Sequence, residues 1–291
     1  MRNTRPDLPD PDVSREEDLS CALSHWEPRQ EPPPLEKSVH IWRLFIPVNP
    51  MADAGLSPSA SPLPFLQNND TTRSGERLAT WLTEGERERA GRYRFEADRH
   101  RFSRARGLLR YLLGHYTGRA PQDVRFETGP MGKLHVAPSA GAEAIRFNVS
   151  HSYEWALIAL SRDRDVGVDV EHHRPLHHDL FAIADRFFAP VEVEALRALP
   201  ADQHHPAFYR IWSRKEAFIK ATGQGVSAGL DTFAVSIDTN AKVVLRVFKP
   251  AGDEARWIMR SLDVGAEYGA AVCVERRRDA DDIELKLWEW K

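Results

Sequence analysis

The chain has 291 residues, of which 42% are apolar and 29% are charged, a composition typical of a soluble globular protein with one large or two ordinary domains. Its net charge of −3 argues against a general polyanion binder, and its two cysteines, far apart in the sequence, indicate neither a disulfide framework nor a zinc site. No apolar run approaches the roughly 20 residues that span a bilayer, and no signal peptide is recognisable, so a cytoplasmic protein is expected.

The N-terminal third begins with a segment that does not look like a folded domain. Residues 1–37 are rich in proline and charge and poor in large apolar residues, which predicts a disordered leader. The run from Ser38 to Val48 is rich in β-branched and aromatic residues and predicts a strand. A loop rich in Ser, Pro and Asn follows, and leucines that recur on one side between Gly85 and Gly118 then predict a long helix.

Short strands and helices alternate in the rest of the chain. The segments IRFNVS, WALIALS and DVGVDVE predict strands, helical patterns follow over residues 176–188, 191–199 and 204–222, and FAVSI, VVLRVF, RWIMRSL and YGAAVCV predict strands again. This order predicts an α/β (α+β) protein with two comparable portions that meet near residues 160–165.

The predicted strand DVGVDVE carries two like charges on one face. Its valines alternate with Gly167, Asp169 and Glu171 at the strand period of two, so the two carboxylates leave the same side. Taken alone, an acidic pair on a strand is more often a solvated surface. A divalent cation between the carboxylates would make their repulsion tolerable.

The predicted helix FYRIWSRKEAFIKAT places three charged residues around an apolar face. Glu216 and Lys220 are four residues apart at the edge of that face, a spacing that is usually an exposed helix pair. Lys215 projects into the middle of the face, where it must find a carboxylate or lose its proton, and an acidic site nearby is therefore implied. With Asp169 and Glu171, the helix would supply a third hard oxygen ligand for Mg²⁺ and cations for phosphate.

These two segments also occur together in a known enzyme family. GVDVE, followed about 40 residues later by WSRKEAFIKATGQG, resembles the signature pair of the 4'-phosphopantetheinyl transferases, specifically of the larger surfactin-synthetase-activating (Sfp) type. FEADRHRFSRARGLLRYLL, GPMGKLHV and FNVSHSYEW resemble further segments of that family in the same order, so the resemblance covers roughly residues 38–275. Two positions depart from the family pattern, because Leu134 stands where proline is usual and Tyr153 where glycine is usual.

The resemblance implies two pseudo-symmetric halves, residues 38–163 and residues 164–291, each a small, mostly antiparallel sheet with packed helices. Coenzyme A would bind in the cleft between them. The enzyme would transfer its 4'-phosphopantetheine arm to a serine hydroxyl of an apo acyl, polyketide or peptidyl carrier protein and release 3',5'-ADP. The expected partners are therefore coenzyme A and the carrier protein, with neither nucleic acid nor a membrane. Because one chain supplies both halves, a monomer is expected.

The resemblance also assigns site residues by position. Asp169, Glu171 and Glu216 would hold Mg²⁺ against the pyrophosphate of coenzyme A. Glu216, or a water bound to the metal, would take the serine proton, and Lys220 would contact a phosphate oxygen as a second catalytic group. The residues expected near the adenosine 3'-phosphate are Lys133, Ser150 and His151, and Arg89 and Lys215 complete the expected coenzyme-binding set.

Two other functions fit parts of the sequence. A non-catalytic carrier-protein binder would keep the fold, but it has no need of acidic residues that repel each other without a metal. A nucleic-acid-binding protein could use the arginine-rich helix around residues 99–110, although no nucleic-acid motif accompanies it and acidic residues flank it. An acidic carrier protein would also suit that basic surface.

Overall fold

The computed structural model of the protein describes residues 22–47, 77–129, 131–138, 145–176, 179–225, 229–248, 253–276 and 283–291. Its helices are α1 (Glu84–Gly91), α2 (Glu96–Thr117), α3 (Leu180–Phe187), α4 (Pro190–Arg197) and α5 (Ala201–Thr222). Its strands are β1 (Glu27–Arg29), β2 (Val39–Phe45), β3 (Phe126–Thr128), β4 (Leu134–Val136), β5 (Ile145–Ser152), β6 (Trp155–Arg162), β7 (Val166–His172), β8 (Phe233–Val235), β9 (Leu245–Val247), β10 (Trp257–Ser261), β11 (Tyr268–Glu275) and β12 (Leu285–Trp290). These elements confirm the predicted mixed α/β class, with several small sheets and packed helices.

The N-terminal half is built on a five-stranded sheet in the order β1-β12-β2-β6-β5. β2, β6 and β5 are antiparallel neighbours, whereas β12 runs parallel to both β1 and β2. The leucines of α2 between Leu108 and Leu113 recur at the helical period, so they form one stripe, and they are buried in the same core cluster as Trp42 of β2. The helix ends at Gly118, whose left-handed φ of 68° suits a glycine cap.

The C-terminal half is built on the antiparallel sheet β10-β11-β7, and two glycines allow the backbone of α5 to approach that sheet closely. A Cβ atom at Gly167 of β7 would lie 2.1 Å from the carbonyl oxygen of Ala217, and one at Gly269 of β11 would lie 2.6 Å from that of Tyr209. Because residues two apart on a strand share a face, the contact at Gly167 also directs the side chain of Asp169 toward α5.

Side chains at alternate positions of β5 accept hydrogen bonds from main-chain N–H groups of β7. The pairs are Val168 N with Asn148 Oδ1 (3.0 Å), Val170 N with Ser150 Oγ (3.4 Å) and His172 N with Ser152 Oγ (3.1 Å). β5 is the edge of the N-terminal sheet and β7 is the edge of the C-terminal sheet. These bonds therefore join the two halves and satisfy main-chain donors at an edge that lacks a neighbouring strand.

The structure corrects the expected extent of the N-terminal leader. Residues 1–21 lie outside the described residues, but residues 22–37 are part of the fold. β1 pairs in parallel with β12, Trp26 Nε1 donates a hydrogen bond to the carbonyl oxygen of Asp263 at 2.6 Å, and Leu35 is buried. Composition indicated disorder because the segment has few large apolar residues, whereas its order depends on partners from distant parts of the chain.

The expected division of the chain at residue 163 is wrong for the last strand. β12 leaves the C-terminal half and inserts between β1 and β2 of the N-terminal sheet. Its alternating pattern LKLWEW is typical of a strand, but alternation does not reveal to which sheet a strand belongs. The N-terminal half is therefore completed by the end of the chain.

The single long helix expected between Gly85 and Gly118 is two helices, α1 and α2, separated at Phe95, whose extended backbone precedes α2.

Most of the loop expected after the first strand lies outside the described residues. Among the residues that the structure describes, no helix is both long and apolar enough to cross a membrane.

Candidate active site

Acidic and basic side chains from β7 and α5 converge where the two halves meet. Asp169 and Glu171 leave one face of β7, and α5 brings Lys220 Nζ to 2.6 Å from Asp169 Oδ1. Glu216 precedes Lys220 by one helical turn and lies near enough to Asp169 for the two charges to interact. The structure thus brings together four of the residues that the sequence assigns to catalysis and metal binding.

Asp169 is the centre of this acidic cluster, which consists of Asp169, Glu171 and Glu216. Its Oδ1 accepts hydrogen bonds from Lys220 Nζ (2.6 Å) and from Ser150 Oγ (2.8 Å). Its Oδ2 is buried and has no hydrogen-bond partner among the described residues. Because a buried carboxylate oxygen without a partner is costly, this atom is where a bound cation would be most stabilising.

Burial and repulsion raise the pKa of the two other carboxyl groups. Burial, followed by the charge of Asp169, raises the pKa of Glu171 to about 7, although Ser152 Oγ donates a 3.0 Å hydrogen bond to its Oε2. The same two causes, in the same order, raise the pKa of Glu216. Glu171 therefore carries less than its full negative charge near neutral pH unless further positive charge joins Lys220.

The donor set of the acidic cluster fits a divalent cation that prefers oxygen ligands. Within the described residues, no three His, Cys, Asp or Glu side chains are already arranged as a metal site. The unpartnered oxygen of Asp169 and the two neighbouring carboxyl groups are nevertheless hard donors of the kind that Mg²⁺ prefers. Imidazole and thiolate ligands, which would favour zinc, are not part of the cluster.

Three of the residues expected to bind coenzyme A line a pocket beside the acidic cluster. Arg89, Lys133 and His151 line this coenzyme pocket. Burial, followed by the charge of Arg101, lowers the pKa of His151, so its imidazole is neutral near pH 7. Ser150, the fourth expected contact, is absent from the lining, and its hydroxyl donates to Asp169 instead. Ser150 therefore orients a carboxylate in this structure.

Lys133 reaches from the N-terminal half to the end of α5. Its Nζ donates to the carbonyl oxygen of Ala221 at 3.0 Å and lies 3.4 Å from that of Val166. Burial lowers the pKa of Lys133. Lysines near the last carbonyl groups of a helix stabilise its C-terminus, so Lys133 ties the two halves together as well as lining the pocket. Leu134 lines the same pocket.

The structure contradicts the expectation that Lys215 binds coenzyme. Its Nζ donates to Glu192 Oε2 and to the main-chain oxygens of Leu230 and Phe233, each at 2.7 Å, and its side chain is fully buried. The lysine has a carboxylate partner, as its apolar position required, but the partner is Glu192 on α4 and not a residue of the acidic cluster. All three N–H donors of the ammonium group are used in the C-terminal core.

Sequence reasoning missed Arg106 and Asn148, which also line the coenzyme pocket. Arg106 Nε lies 3.6 Å from Glu86 Oε1, and the buried Arg110 binds both oxygens of that carboxylate, at 2.5 and 3.0 Å. Burial lowers the pKa of Arg106. The available signal was the spacing of four between Arg106 and Arg110 on the side of α2 that carries the leucines, where an arginine needs a partner.

The chain is similar to a group of transferases over most of its length. A family model described as "4'-phosphopantetheinyl transferase superfamily" matches residues 165–273, and one described as "4'-phosphopantetheinyl transferase, N-terminal" matches residues 69–163. The chain is 37% identical to the 4'-phosphopantetheinyl transferase HetI of Nostoc sp., over 66% of this chain and 72% of the relative. It is 31% identical to the 4'-phosphopantetheinyl transferase psf-1 of Bacillus pumilus, over 77% and 92%. It is 33% identical to a 4'-phosphopantetheinyl transferase of Bacillus subtilis, over 74% and 91%.

Proposed function

Since this chain belongs to the 4'-phosphopantetheinyl transferase superfamily and transfers the phosphopantetheine arm of coenzyme A to carrier proteins, we propose that the acidic cluster is where the transfer occurs. In this proposal Asp169, Glu171 and Glu216 would hold Mg²⁺ where the pyrophosphate of coenzyme A binds. The observation that supports it best is the buried, unpartnered Oδ2 of Asp169. When bound, Mg²⁺ would neutralise charge on the phosphates and so stabilise the leaving group.

The side chains of the protein supply positioning and proton transfer. The serine hydroxyl of the carrier attacks the phosphorus that bears the pantetheine arm, a P–O bond to serine forms, and the bond to the second phosphate breaks, so that 3',5'-ADP leaves. In its ionised form, Glu216 would accept the serine proton. The ammonium group of Lys220 would stabilise the negative charge on the phosphate oxygens.

The coenzyme pocket would hold the adenosine 3'-phosphate end. Arg89, Lys133 and His151 line it, and Arg106 adds a guanidinium group that the sequence did not single out. Glu86 holds Arg106 at 3.6 Å, so the guanidinium is positioned before a phosphate arrives. Ser150, which donates to Asp169, would act by orienting that carboxylate.

The arginines of α2 support this proposal more than nucleic-acid binding. Arg110 binds Glu86 and the main-chain oxygen of Val124, and Arg101 donates to the main-chain oxygen of Tyr153. A nucleic-acid-binding face needs arginines that project into solvent toward phosphates.

Because one chain supplies both halves of the site, we propose that the protein is a monomer, which light scattering would test.

The activity is tested by the intact mass of an apo carrier protein after incubation with this protein, coenzyme A and Mg²⁺. We expect a gain of roughly 340 Da that disappears when EDTA is present, because the transfer needs the metal. Absence of any gain with fatty-acid, polyketide and peptidyl carriers would contradict the proposed function.

The metal assignment is tested by Asp169→Asn, which keeps the shape of the side chain and removes its charge. Transfer should fall by about 100-fold or more, and the stabilisation of the protein by added Mg²⁺ should disappear. The control is Asp185→Asn, because Asp185 pairs with Arg197 at the surface. This control should behave as wild type. Wild-type turnover in Asp169→Asn would rule out the assignment.

A further inference from the structure

The turn between β5 and β6 has a backbone conformation that its sequence does not favour. Ser152 pairs with Trp155, so Tyr153 and Glu154 form a two-residue turn, and Tyr153 has a φ of +51°. A positive φ at the first central residue of such a turn is typical of glycine, and a bulky side chain there is strained. Strain of this kind persists where the surroundings or the function require the side chain.

The side chain at this strained position lies beside the acidic cluster. The ring of Tyr153 is 4.5 Å from the ring of His172, the residue that follows Glu171. Ser152, which precedes Tyr153, donates a hydrogen bond to Glu171. Arg174 is exposed and lies close enough for its charge to act on Glu171. We define Tyr153, His172 and Arg174 as the aromatic rim of the site.

The aromatic rim lies outside the coenzyme pocket. The lining of that pocket includes His151 but none of the three rim residues. Tyr153 is 38% exposed, so a second molecule can contact it. The acceptor serine must reach the acidic cluster from a side that the coenzyme does not fill, and the rim borders Glu171 on such a side.

The chemistry of the rim suits a protein with a negatively charged surface. Exposed tyrosine and arginine side chains are enriched among the residues that dominate binding energy in protein interfaces. The guanidinium group of Arg174 can pair with an acidic group of the partner, while Glu267 Oε2 lies 3.8 Å from Nε2 of His172 in the same rim. A glycine at position 153 would relieve the strained turn but would leave no ring at the mouth of the site.

We propose that the aromatic rim is the docking contact for the acidic surface around the acceptor serine of the carrier protein, with Tyr153 as the anchor. This inference rests on the proposed function, because it assigns the second substrate of the same site. It also gives a role to the departure from the family pattern at Tyr153.

The test compares Tyr153→Gly with two controls, Tyr153→Phe and Phe248→Ala. Tyr153→Phe keeps the ring, and Phe248→Ala removes a ring that is 44% exposed just beyond β9, in a different sheet. The dissociation constants of labelled apo fatty-acid, polyketide and peptidyl carrier proteins are measured without coenzyme A. For the carrier that binds wild type most tightly, Tyr153→Gly should raise the dissociation constant about tenfold, and both controls should bind as wild type.

Turnover measurements separate the two substrates. In Tyr153→Gly the KM for the carrier protein should rise about tenfold, while the KM for coenzyme A and the melting temperature stay near the wild-type values. An unchanged carrier affinity overturns the proposal. A rise in the KM for coenzyme A alone also overturns it, because Tyr153 would then belong to the coenzyme site.

A second variant decides the matter if Tyr153→Gly is unstable. Arg174→Gln leaves the strained turn intact and should weaken carrier binding, most clearly at low salt, and unchanged binding in this variant overturns the proposal. If the protein does not have the proposed function, the activity and binding measurements give a different combination of results. In that case wild type modifies no carrier protein, while the binding measurements, which need no turnover, still report on the aromatic rim.

Discussion

His40 is a fully buried titratable side chain away from the active site, and its hydrogen bonds fit the neutral form. Trp42 Nε1 donates to the hydroxyl oxygen of Tyr116 at 3.3 Å, so the hydroxyl proton of Tyr116 can be donated to His40 Nδ1 at 2.8 Å. The Nε2–H of His40 then faces Ser38 Oγ at 3.0 Å. Burial, followed by nearby positive charges, lowers the pKa of His40 to about 4.

We expect the protein to lose stability through His40 as the pH falls from about 6.5 toward 4. In the unfolded chain the imidazole binds a proton near its ordinary pKa of 6.5, whereas in the folded protein it stays neutral down to about pH 4. The unfolded state therefore takes up more protons in this window. The free energy of unfolding should fall by about 2 kcal/mol between pH 7 and pH 5 from this residue alone.

Denaturant titrations of wild type and His40→Gln at pH 7 and pH 5 would measure this contribution. His40→Gln has no titratable ring at this position, so it should lose less stability than wild type between the two pH values. His100→Gln is the control, because His100 is exposed and pairs with Glu96 at the surface. Equal losses in His40→Gln and wild type would contradict the assignment.

Lys215 and Lys220 lie five residues apart on α5 and differ sharply in surroundings. Lys215→Ala should destabilise the protein by about 3–5 kcal/mol, because Glu192 would remain as an unpaired buried charge. Lys220→Ala should lower the free energy of unfolding by less, since 27% of the Lys220 side chain is exposed to solvent. Its main effect should be a loss of transfer activity. Thermal unfolding of both variants measures the difference, and equal melting temperatures would contradict it.

A double variant separates the ion pair from the packing around it. Lys215→Met combined with Glu192→Leu replaces both charges by apolar groups, so no unpaired charge is left behind. This double variant should be more stable than Lys215→Ala. A double variant as unstable as the single one would mean that the loss comes from packing or from the main-chain hydrogen bonds of Lys215 and Glu192, and not from the unpaired carboxylate.

The contact between α5 and β7 determines where Glu216 and Lys220 lie. Gly167→Ala would place a Cβ atom 2.1 Å from the carbonyl oxygen of Ala217, so the helix must shift. We expect a loss of about 1–3 kcal/mol in the free energy of unfolding, and a larger proportional loss of transfer because the site spans this contact.

Gly85→Ala is the matched control for this substitution. A Cβ atom at Gly85 in α1 would meet nothing within 4 Å. The control should be neutral or slightly stabilising, because alanine is favoured over glycine in a helix. Chemical denaturation and the mass assay report stability and transfer separately, and a Gly167→Ala protein with wild-type stability and transfer would exclude the close approach.

Strands from both ends of the described chain complete the N-terminal sheet. β1 and β12 form part of the same sheet, and Arg29 stacks over the ring of Trp288 at 4.4 Å. Removal of residues 285–291 would expose the edge of β2 and the core residues next to it. The truncated protein should therefore aggregate or melt at a much lower temperature, whereas removal of Lys291 alone should have little effect.

Light scattering and thermal unfolding test this expectation. The full chain should be monomeric under conditions in which the truncated chain forms larger species. A truncated protein that stays monomeric with the wild-type melting temperature would show that the N-terminal half does not need β12.

Much of the active site followed from local periodicity. The period of two placed Asp169 and Glu171 on one face of β7, and the helical period placed Glu216 and Lys220 one turn apart on α5. The same argument placed Lys215 in an apolar face with an acidic partner. These inferences hold because the direction of a side chain relative to its own strand or helix depends only on backbone geometry.

Which elements meet was decided by the tertiary structure. Glu192, and not the acidic cluster, is the partner of Lys215, Arg106 reaches the coenzyme pocket, and β12 completes the N-terminal sheet. The family, the acidic residues and their faces could be inferred from the sequence alone, because each depends on a short, continuous stretch of residues. The sequence did not determine these long-range pairs, since they depend on packing between segments that no local pattern connects.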